Sequence, residues 1–388
     1  MDAMRLTVGI LLVVLASQTC TQAMAPDAGQ PADADVGQTD SPEHRAQRSG
    51  PPSITKSPGD DLGCCSLSCN EPCSPDPCPC VYGQVEALFL KRERGFADQP
   101  IVVDPNTGTT FLSTSDLDFD FEPGLRATFG MRLCGGRALE FSYFGIFEGD
   151  ASASAVRPDP FAFLIFPDNF FGNVFVDMDS VQVDYSSSLH SFEANLPCCC
   201  GCCDPCGYDE CGCGEVRCQS FEWFGGFRYL NLDEELNITA QRIVGGAVEE
   251  GTYDISTANR LYGAQLGARL RRTQGRWGWE ATGKAGIFAN DAEQEQTVID
   301  FPNFPLRPTV SSRSTEVAFL GETNVSALYR LTDVWNLRAG YTVLWIEGVA
   351  LAPDQLDFDF ATSPSGDQLH NSGGIFLHGV NVGLEARW

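Results

Sequence analysis

The chain is short of positive charge, of histidine and of long apolar runs. Its 388 residues carry 25 Lys and Arg against 52 Asp and Glu, a formal net charge of -27. Phosphate backbones are gripped by Lys and Arg, so nucleic acid is excluded as a partner. The four histidines are His44, His190, His370 and His378. No nucleophile–base signature accompanies them, so the expectation is no enzyme and no cofactor. Two weak pairings stay open, His190 with Asp184 and His370 with Asp354 or Asp367. Beyond the N-terminus no apolar run approaches the ~18 residues of a spanning helix. That excludes a multi-span helical protein and leaves a β-barrel, whose strands carry only alternating hydrophobicity.

What is abundant points elsewhere. Aromatics are 11% of the residues, too many for a mostly disordered chain. Arg5 precedes the apolar run Leu6 to Ala16, the pattern of a secretory signal. Residues 1–25 are assigned to a signal peptide, with cleavage after Ala23-Met24-Ala25 or near Ser17; Cys20 leaves a lipoprotein as an alternative. Residues 26–63, rich in Pro, Ala, Asp, Gly and Ser, read as a disordered linker, and 64–80 as a Cys-rich periplasmic segment.

From Val81 onward the pattern has period two. Phe119, Phe121, Leu125, Ala127, Phe129 and Met131 share one parity; Asp118, Asp120, Glu122, Arg126 and Arg132 share the other. Trp335, Leu337, Ala339, Tyr341, Val343 and Trp345 alternate with polar residues, and so do Trp277, Trp279, Ala281, Ala285 and Ile287. Many such segments run twelve or more residues, longer than the five or six of an ordinary sheet. A soluble sandwich also alternates, but strand length, aromatic ends and the export signal favour a membrane barrel. Ten segments result: 81–94, 117–133, 138–150, 180–196, 219–240, 253–273, 276–298, 315–331, 334–351 and 375–388. The fold class is therefore all-β, a single transmembrane antiparallel barrel of about ten strands over 81–388. Twelve strands result if Phe161–Phe166 and Asn173–Met178 form a further hairpin. The connections 95–116, 151–179, 241–252, 299–314 and 352–374 are long and expected outside; Cys134–Arg137, Thr273–Arg276 and Thr332-Asp333 are short and expected in the periplasm. Both ends of the barrel chain then lie in the periplasm. The insert 197–218 breaks this rule, being periplasmic by parity yet long.

The same stretch resembles a known family. Leu112-Ser113-Thr114-Ser115-Asp116-Leu117-Asp118-Phe119-Asp120-Phe121-Glu122-Pro123-Gly124, Ala138-Leu139-Glu140-Phe141-Ser142-Tyr143-Phe144-Gly145, Ser191-Phe192-Glu193-Ala194-Asn195 and Gly226-Phe227-Arg228-Tyr229-Leu230 are similar to the putative beta-barrel porin family 7 of bacterial outer-membrane proteins. The resemblance implies a barrel in the outer membrane, with outer-membrane lipid around it. The terminal Gly383-Leu384-Glu385-Ala386-Arg387-Trp388 resembles the aromatic-ended signal read by the outer-membrane assembly machinery, which makes Trp388 the assembly signal.

Seventeen cysteines point to an oxidising compartment. Cys64, Cys65, Cys69, Cys73, Cys78 and Cys80 precede strand one. Cys198, Cys199, Cys200, Cys202, Cys203, Cys206, Cys211, Cys213 and Cys218 lie between strands four and five, and Cys134 lies in a turn. All sixteen fall on the periplasmic rim of the expected barrel. Intramolecular disulfides, disulfides to other envelope proteins and a metal cluster are the three readings, and spacing does not choose among them.

The parity expected to face the lumen carries Asp118, Asp120, Glu122, Arg126, Glu140, Asp184, Glu222, Arg228, Glu280, Lys284, Glu322, Arg330 and Arg338. One expectation is a pore with an acidic, cation-leaning lumen. The other is a closed structural barrel, its polar core neutralised by ion pairs and its periplasmic cysteines cross-linked. Leu117-Asp118-Phe119-Asp120-Phe121 recurs as Leu356-Asp357-Phe358-Asp359-Phe360 and reads as strand or loop edge. It is not an EF-hand, which needs Gly where Phe121 stands.

Overall fold

The computed structural model describes residues 81–93, 95–133, 137–158, 162–168, 170, 172–200, 218–359 and 366–387. The signal peptide, the linker, the cysteines of 64–80, Cys134, Cys202 to Cys213 and Trp388 lie outside the described residues.

Among the described residues thirteen strands occur in chain order: β1 (Val81–Glu93), β2 (Pro100–Val103), β3 (Thr110–Ser113), β4 (Phe121–Leu133), β5 (Arg137–Val156), β6 (Ser180–Cys200), β7 (Cys218–Val244), β8 (Ala247–Gln274), β9 (Trp277–Asp300), β10 (Phe304–Pro305), β11 (Val310–Arg330), β12 (Trp335–Val349) and β13 (Gly373–Arg387). Ten of them form a closed antiparallel barrel in the order β1, β4, β5, β6, β7, β8, β9, β11, β12, β13. Closure comes from β13 against β1, with Val85 opposite Leu384 and Phe89 opposite Val380. The short β10 extends β9, and β2–β3 is a separate hairpin.

In the half of the wall nearer the chain ends, alternation puts apolar side chains outward. Val85, Phe89, Phe129, Phe141, Leu266, Ile287, Val325, Val382 and Leu384 are exposed on the outer face. Aromatics bound this band on both sides, as in membrane barrels. Toward the terminal end stand Phe221, Trp223, Trp277, Trp279 and Trp335, with the Trp277 and Tyr329 rings 4.8 Å apart. Toward the loop end stand Phe121, Phe147, Phe192, Tyr262, Trp345 and Phe376. In this second girdle the Tyr143 hydroxyl meets His190 Nδ1 at 3.0 Å and the Tyr341 hydroxyl meets His378 Nδ1 at 2.6 Å. Both histidines lie on the outer wall, and His190 meets Tyr143 rather than Asp184, which stands six residues away on the same strand.

Beyond the second girdle the wall reverses its polarity. Val181, Val183, Tyr185, Leu236, Ile238, Tyr253 and Ile255 point inward and are fully buried, while Asp184, Glu235, Ser256 and Glu295 point outward and are exposed. The side-chain parity is continuous; the surroundings change, because water replaces lipid outside and packed loops replace polar lumen inside. The strands are accordingly long. β7 has 27 residues and β8 has 28, against the ~9–11 that cross a bilayer.

Two expectations about connections are corrected. The stretch 241–252 is not a long loop. β7 and β8 stay paired to Val244 opposite Ala247 and turn over Gly245 and Gly246, whose φ of 61° and 87° suit a two-residue hairpin turn that side chains with a Cβ resist. The further hairpin does not enter the barrel: Leu164 bridges Met178 and Ile165 bridges Val103 as isolated contacts inside the mouth. The barrel thus has ten strands, not twelve.

The reversal yields a prediction. Val325→Arg, in the outward apolar band, should lower stability in lipid vesicles by about 2–4 kcal/mol. Ser256→Arg, outward but beyond the girdle, should change it by less than ~0.5 kcal/mol. Denaturant titration of the refolded barrel measures both.

Candidate functional site

Among the described residues, three layers of side chains occupy the lumen. The layer nearest the chain ends is ionic, because inward positions of the membrane band are polar and a carboxylate withdrawn from water needs a cation. Its carboxylates are Glu86, Glu140, Glu193, Glu222, Glu280, Glu322 and Glu385, all buried. Six bases answer them. Arg338 reaches Glu86 at 3.3 Å, Glu280 at 2.9 Å and Glu385 at 2.8 Å. Arg271 joins Glu280 at 3.3 Å and Glu385 at 2.9 Å. Arg126 links Glu86 at 3.4 Å to Glu322 at 2.9 Å. Arg228, with no exposed surface, holds Glu322 at 2.7 Å and Glu193 at 3.4 Å. Lys284 holds Glu193 at 2.9 Å. Arg269 bridges Glu140 at 3.0 Å and Glu222 at 3.1 Å. Arg387 adds a seventh cation at the rim, 2.5 Å from Glu385. Amides complete the belt: Gln265 donates to Glu193 and Asn195, and Asn381 to Glu86, each at 2.8 Å. The Tyr82 hydroxyl donates to Glu140 at 2.6 Å. The belt is close to neutral although the chain is strongly acidic. The outward Asp184, Glu235 and Glu295 show where part of the surplus goes.

The second layer is apolar. Leu88, Leu90, Phe144, Leu189, Leu230, Leu261, Phe288, Leu320, Leu344 and Leu377 meet across the lumen. Through it runs a strap of backbone that leaves β12. Gly348 has a φ of 86°, and a Cβ there would come 2.7 Å from the Val317 carbonyl. The pairing of β12 with β13 shifts register at this point and the chain turns inward. Ala350, Leu351 and Ala352 are wholly buried, and a short 3-10 helix follows over Ala352–Gln355. Buried peptide groups need partners. Asn259 supplies both for residue 350, donating to its carbonyl and accepting from its N–H at 2.8 Å each. Asn290 donates to the Gly348 carbonyl at 3.0 Å. Glu234 accepts the Ala352 N–H at 2.9 Å and pairs with Arg92 at 2.7 Å.

The third layer closes the mouth. Phe166, Phe170, Phe175 and Phe358 stack with Tyr253, joined by Ile101, Leu117, Phe119, Leu164 and Met178. Burial pushes the Tyr253 hydroxyl up to about 12, so it stays protonated and donates to Gln296 at 2.8 Å. Asp300 anchors the Phe-rich loop through the N–H groups of Asn173 at 2.5 Å and Val174 at 3.1 Å. Both copies of the Leu-Asp-Phe-Asp-Phe motif work alike here: Leu117 and Phe119, then Leu356 and Phe358, insert into the cluster. Where the second and third layers meet, the described residues line a partly open cavity of about 20 Å³, room for about one water.

Of the residues expected to line a lumen, Arg126, Glu140, Glu222, Arg228, Glu280, Lys284, Glu322 and Arg338 meet in the belt. Glu122 is half-buried near the mouth, and Arg330 is half-buried where β11 ends. Asp118, Asp120 and Asp184 do not face the lumen: they are exposed, and Leu117, Phe119 and Tyr185 take the inward positions. Counting charged parity as inward fails beyond the membrane band, where the inside is the apolar one. The sequence reading missed Glu86, Arg92, Glu193, Glu234, Arg269, Arg271 and Glu385. Glu86 and Glu193 were within reach, since each alternates with an outward apolar residue, Val85 and Phe192. His370 is exposed, and its backbone is held by Gln355. Asp354 accepts the Ala97 N–H at 2.9 Å, and burial raises its carboxyl. Of the cysteines, Cys198 is half-buried at the terminal end of β6; Cys199 and Cys200 end that strand and Cys218 begins β7.

The model of the Putative beta barrel porin-7 family matches residues 87–388. The chain belongs to this family. It is accordingly an outer-membrane β-barrel protein of bacteria. No curated protein matches it significantly. Among solved structures it is similar to the outer membrane protease OmpT of Escherichia coli, at 9% identity, covering 81% of this chain and 99% of that one with a TM-score of 0.46. It is also similar to a FadL homologue of Pseudomonas aeruginosa, at 8% identity, 80% and 90% coverage and a TM-score of 0.23. The toluene transporter TodX of Pseudomonas putida is 10% identical, with 80% and 90% coverage and a TM-score of 0.22.

For this porin-7 member the belt predicts a large single-site effect. Arg338→Met leaves three buried carboxylates short of a cation and should cost about 3–5 kcal/mol, measured by denaturant unfolding in detergent. A loss below ~1 kcal/mol would mean the belt is hydrated rather than dry.

Proposed function

We propose that this protein is a non-conducting structural barrel of the outer membrane rather than an open porin. The observation that carries the reading is the occupied lumen: a neutral ion belt, an apolar layer crossed by the strap, and an aromatic cap, built by the described residues. A barrel near ten strands is narrow enough for its own side chains to fill, whereas aqueous channels are found at about sixteen. A cation-selective pore would need unpaired inward carboxylates, and in the belt each carboxylate has its cation. Catalysis is not part of the proposal, since His190 and His378 are bound to tyrosines on the outer wall.

The proposed orientation puts both ends of the barrel chain in the periplasm, with the strand extension and cap outside. β1, β6 and β7 then deliver the cysteine clusters to one periplasmic rim, because β6 ends at Cys200 and β7 begins at Cys218. Disulfides from that rim to other envelope proteins would make the barrel an anchored node of the envelope, with lipid and the assembly machinery as its other partners.

Planar-bilayer recording of the folded protein in a salt gradient tests the closed lumen: no discrete steps are expected, and steps with a cation-selective reversal potential overturn it. Deleting the strap and cap segment 350–372 should also leave the bilayer silent, because the belt closes the barrel independently. Non-reducing electrophoresis of native envelopes tests the anchoring. A ladder that collapses to monomer on adding reductant is expected; a lone monomer band removes the cross-linking role.

A further inference from the structure

The cavity of about 20 Å³ lies behind a weak place in the wall. The ladder between β4 and β5 ends at Gly124 opposite Ile146. Immediately beyond, β5 carries a bulge between Ile146 and Gly149 against β6. The cavity behind it is bounded by Arg92, Glu122, Gly149, Ser187 and Phe119, among other side chains. Arg92 is only 4% exposed. Its Nη1 reaches Glu234 at 2.7 Å and Ser187 at 2.8 Å, and its Nη2 reaches the Tyr185 hydroxyl at 2.8 Å. Its Nε–H meets no acceptor among the described residues. An orphaned donor on a buried guanidinium is costly.

We propose that this cavity is a binding site for a single ordered water, which accepts the Arg92 Nε–H and donates to the Ser187 hydroxyl oxygen and the Glu122 carboxylate. The size selects the ligand: a water needs ~10–15 Å³ of such space and two to four polar partners, and an organic molecule needs far more. The charge also selects it. Glu234 already neutralises Arg92, and Glu122 stands across the cavity, so an anion gains nothing there. The water completes the hydrogen bonding of the group that holds the strap, since Arg92 orients Glu234 and Glu234 accepts the Ala352 N–H. It enters from the outer side through the gap between β4 and β5, because the ion belt closes the other side.

The test is crystallography of the folded full-length protein at a resolution that shows waters. Spherical density within hydrogen-bond distance of Arg92 Nε is expected, without anomalous signal after a bromide soak. Gly149→Ala should abolish it, because the added methyl comes 3.0 Å from Glu122 Cγ and takes up the space. Should that variant fail to fold, Glu122→Leu removes an acceptor and fills the cavity instead. An empty cavity in the native protein, a bromide peak, elongated density from detergent or lipid, or density that survives both substitutions would each overturn the proposal.

Discussion

A charge taken out of water must be paired, and in a narrow barrel it must be paired across the lumen. Most features of this molecule depend on that constraint. Period-two alternation forces every second residue of the membrane band inward, and these residues are polar because their neighbours must be apolar for lipid. Ten strands then bring the polar side chains within reach of one another. The belt from Glu140 through Arg338 and Arg228 to Glu193 is the result. It ties nonadjacent strands together: Arg126 on β4 meets Glu322 on β11, and Arg228 on β7 meets the same carboxylate. The backbone ladder fixes neighbours only. The belt ties opposite walls together.

A second constraint acts where the membrane ends. The strands keep their parity, yet the meaning of inside and outside is exchanged. Within lipid the wall is apolar outside and polar inside; beyond it the wall is polar outside and packed on an apolar filling inside. β6 carries both regimes on one strand, with Phe192 outward and Glu193 inward in the first, Asp184 outward and Tyr185 inward in the second. The filling has to come from somewhere, and the connections supply it. That is why the Phe-rich 162–178 region and the segment after Val349 are apolar although they connect strands at the mouth. It also explains the repeated Leu-Asp-Phe-Asp-Phe motif. Each copy drives a Leu and a Phe into the cap; Asp118 and Asp120 are left toward water, while half-buried Asp357 accepts the N–H groups of Asp359 and Gly366.

Strand number, strand boundaries to within a few residues and the closed all-β architecture were legible in the sequence, because alternation is a local signal and it is strong here. Most of the belt was legible too, from residues such as Arg228 and Glu280 that alternate with aromatics. Arg269 and Arg271 were not. They sit in a run where Gly267, Ala268 and Arg272 blur the period. The aspartates at 118, 120 and 184 were misread for the opposite reason: their alternation is clear, but nothing local says on which side of the membrane edge they stand. The strap was illegible altogether. Its course depends on a positive φ at one residue, Gly348, and on amides from two other strands, Asn259 and Asn290, far away in the chain.

Those amides bear on whether closure is incidental. An apolar strap crossing an apolar layer would bury unpartnered peptide groups, each costing about 1–3 kcal/mol. Asn259 meets both polar groups of residue 350, Asn290 the carbonyl of Gly348, and Glu234 the N–H of Ala352. Three polar side chains from β7, β8 and β9 thus stand beside a cluster of leucine, isoleucine, phenylalanine, valine and alanine. With the strap absent these bonds would be lost, leaving Asn259 and Asn290 bonded to each other and Glu234 to Arg92. The barrel wall therefore carries the polar partners that a buried strap requires, and the course of the strap is a property of the wall as much as of the connection itself.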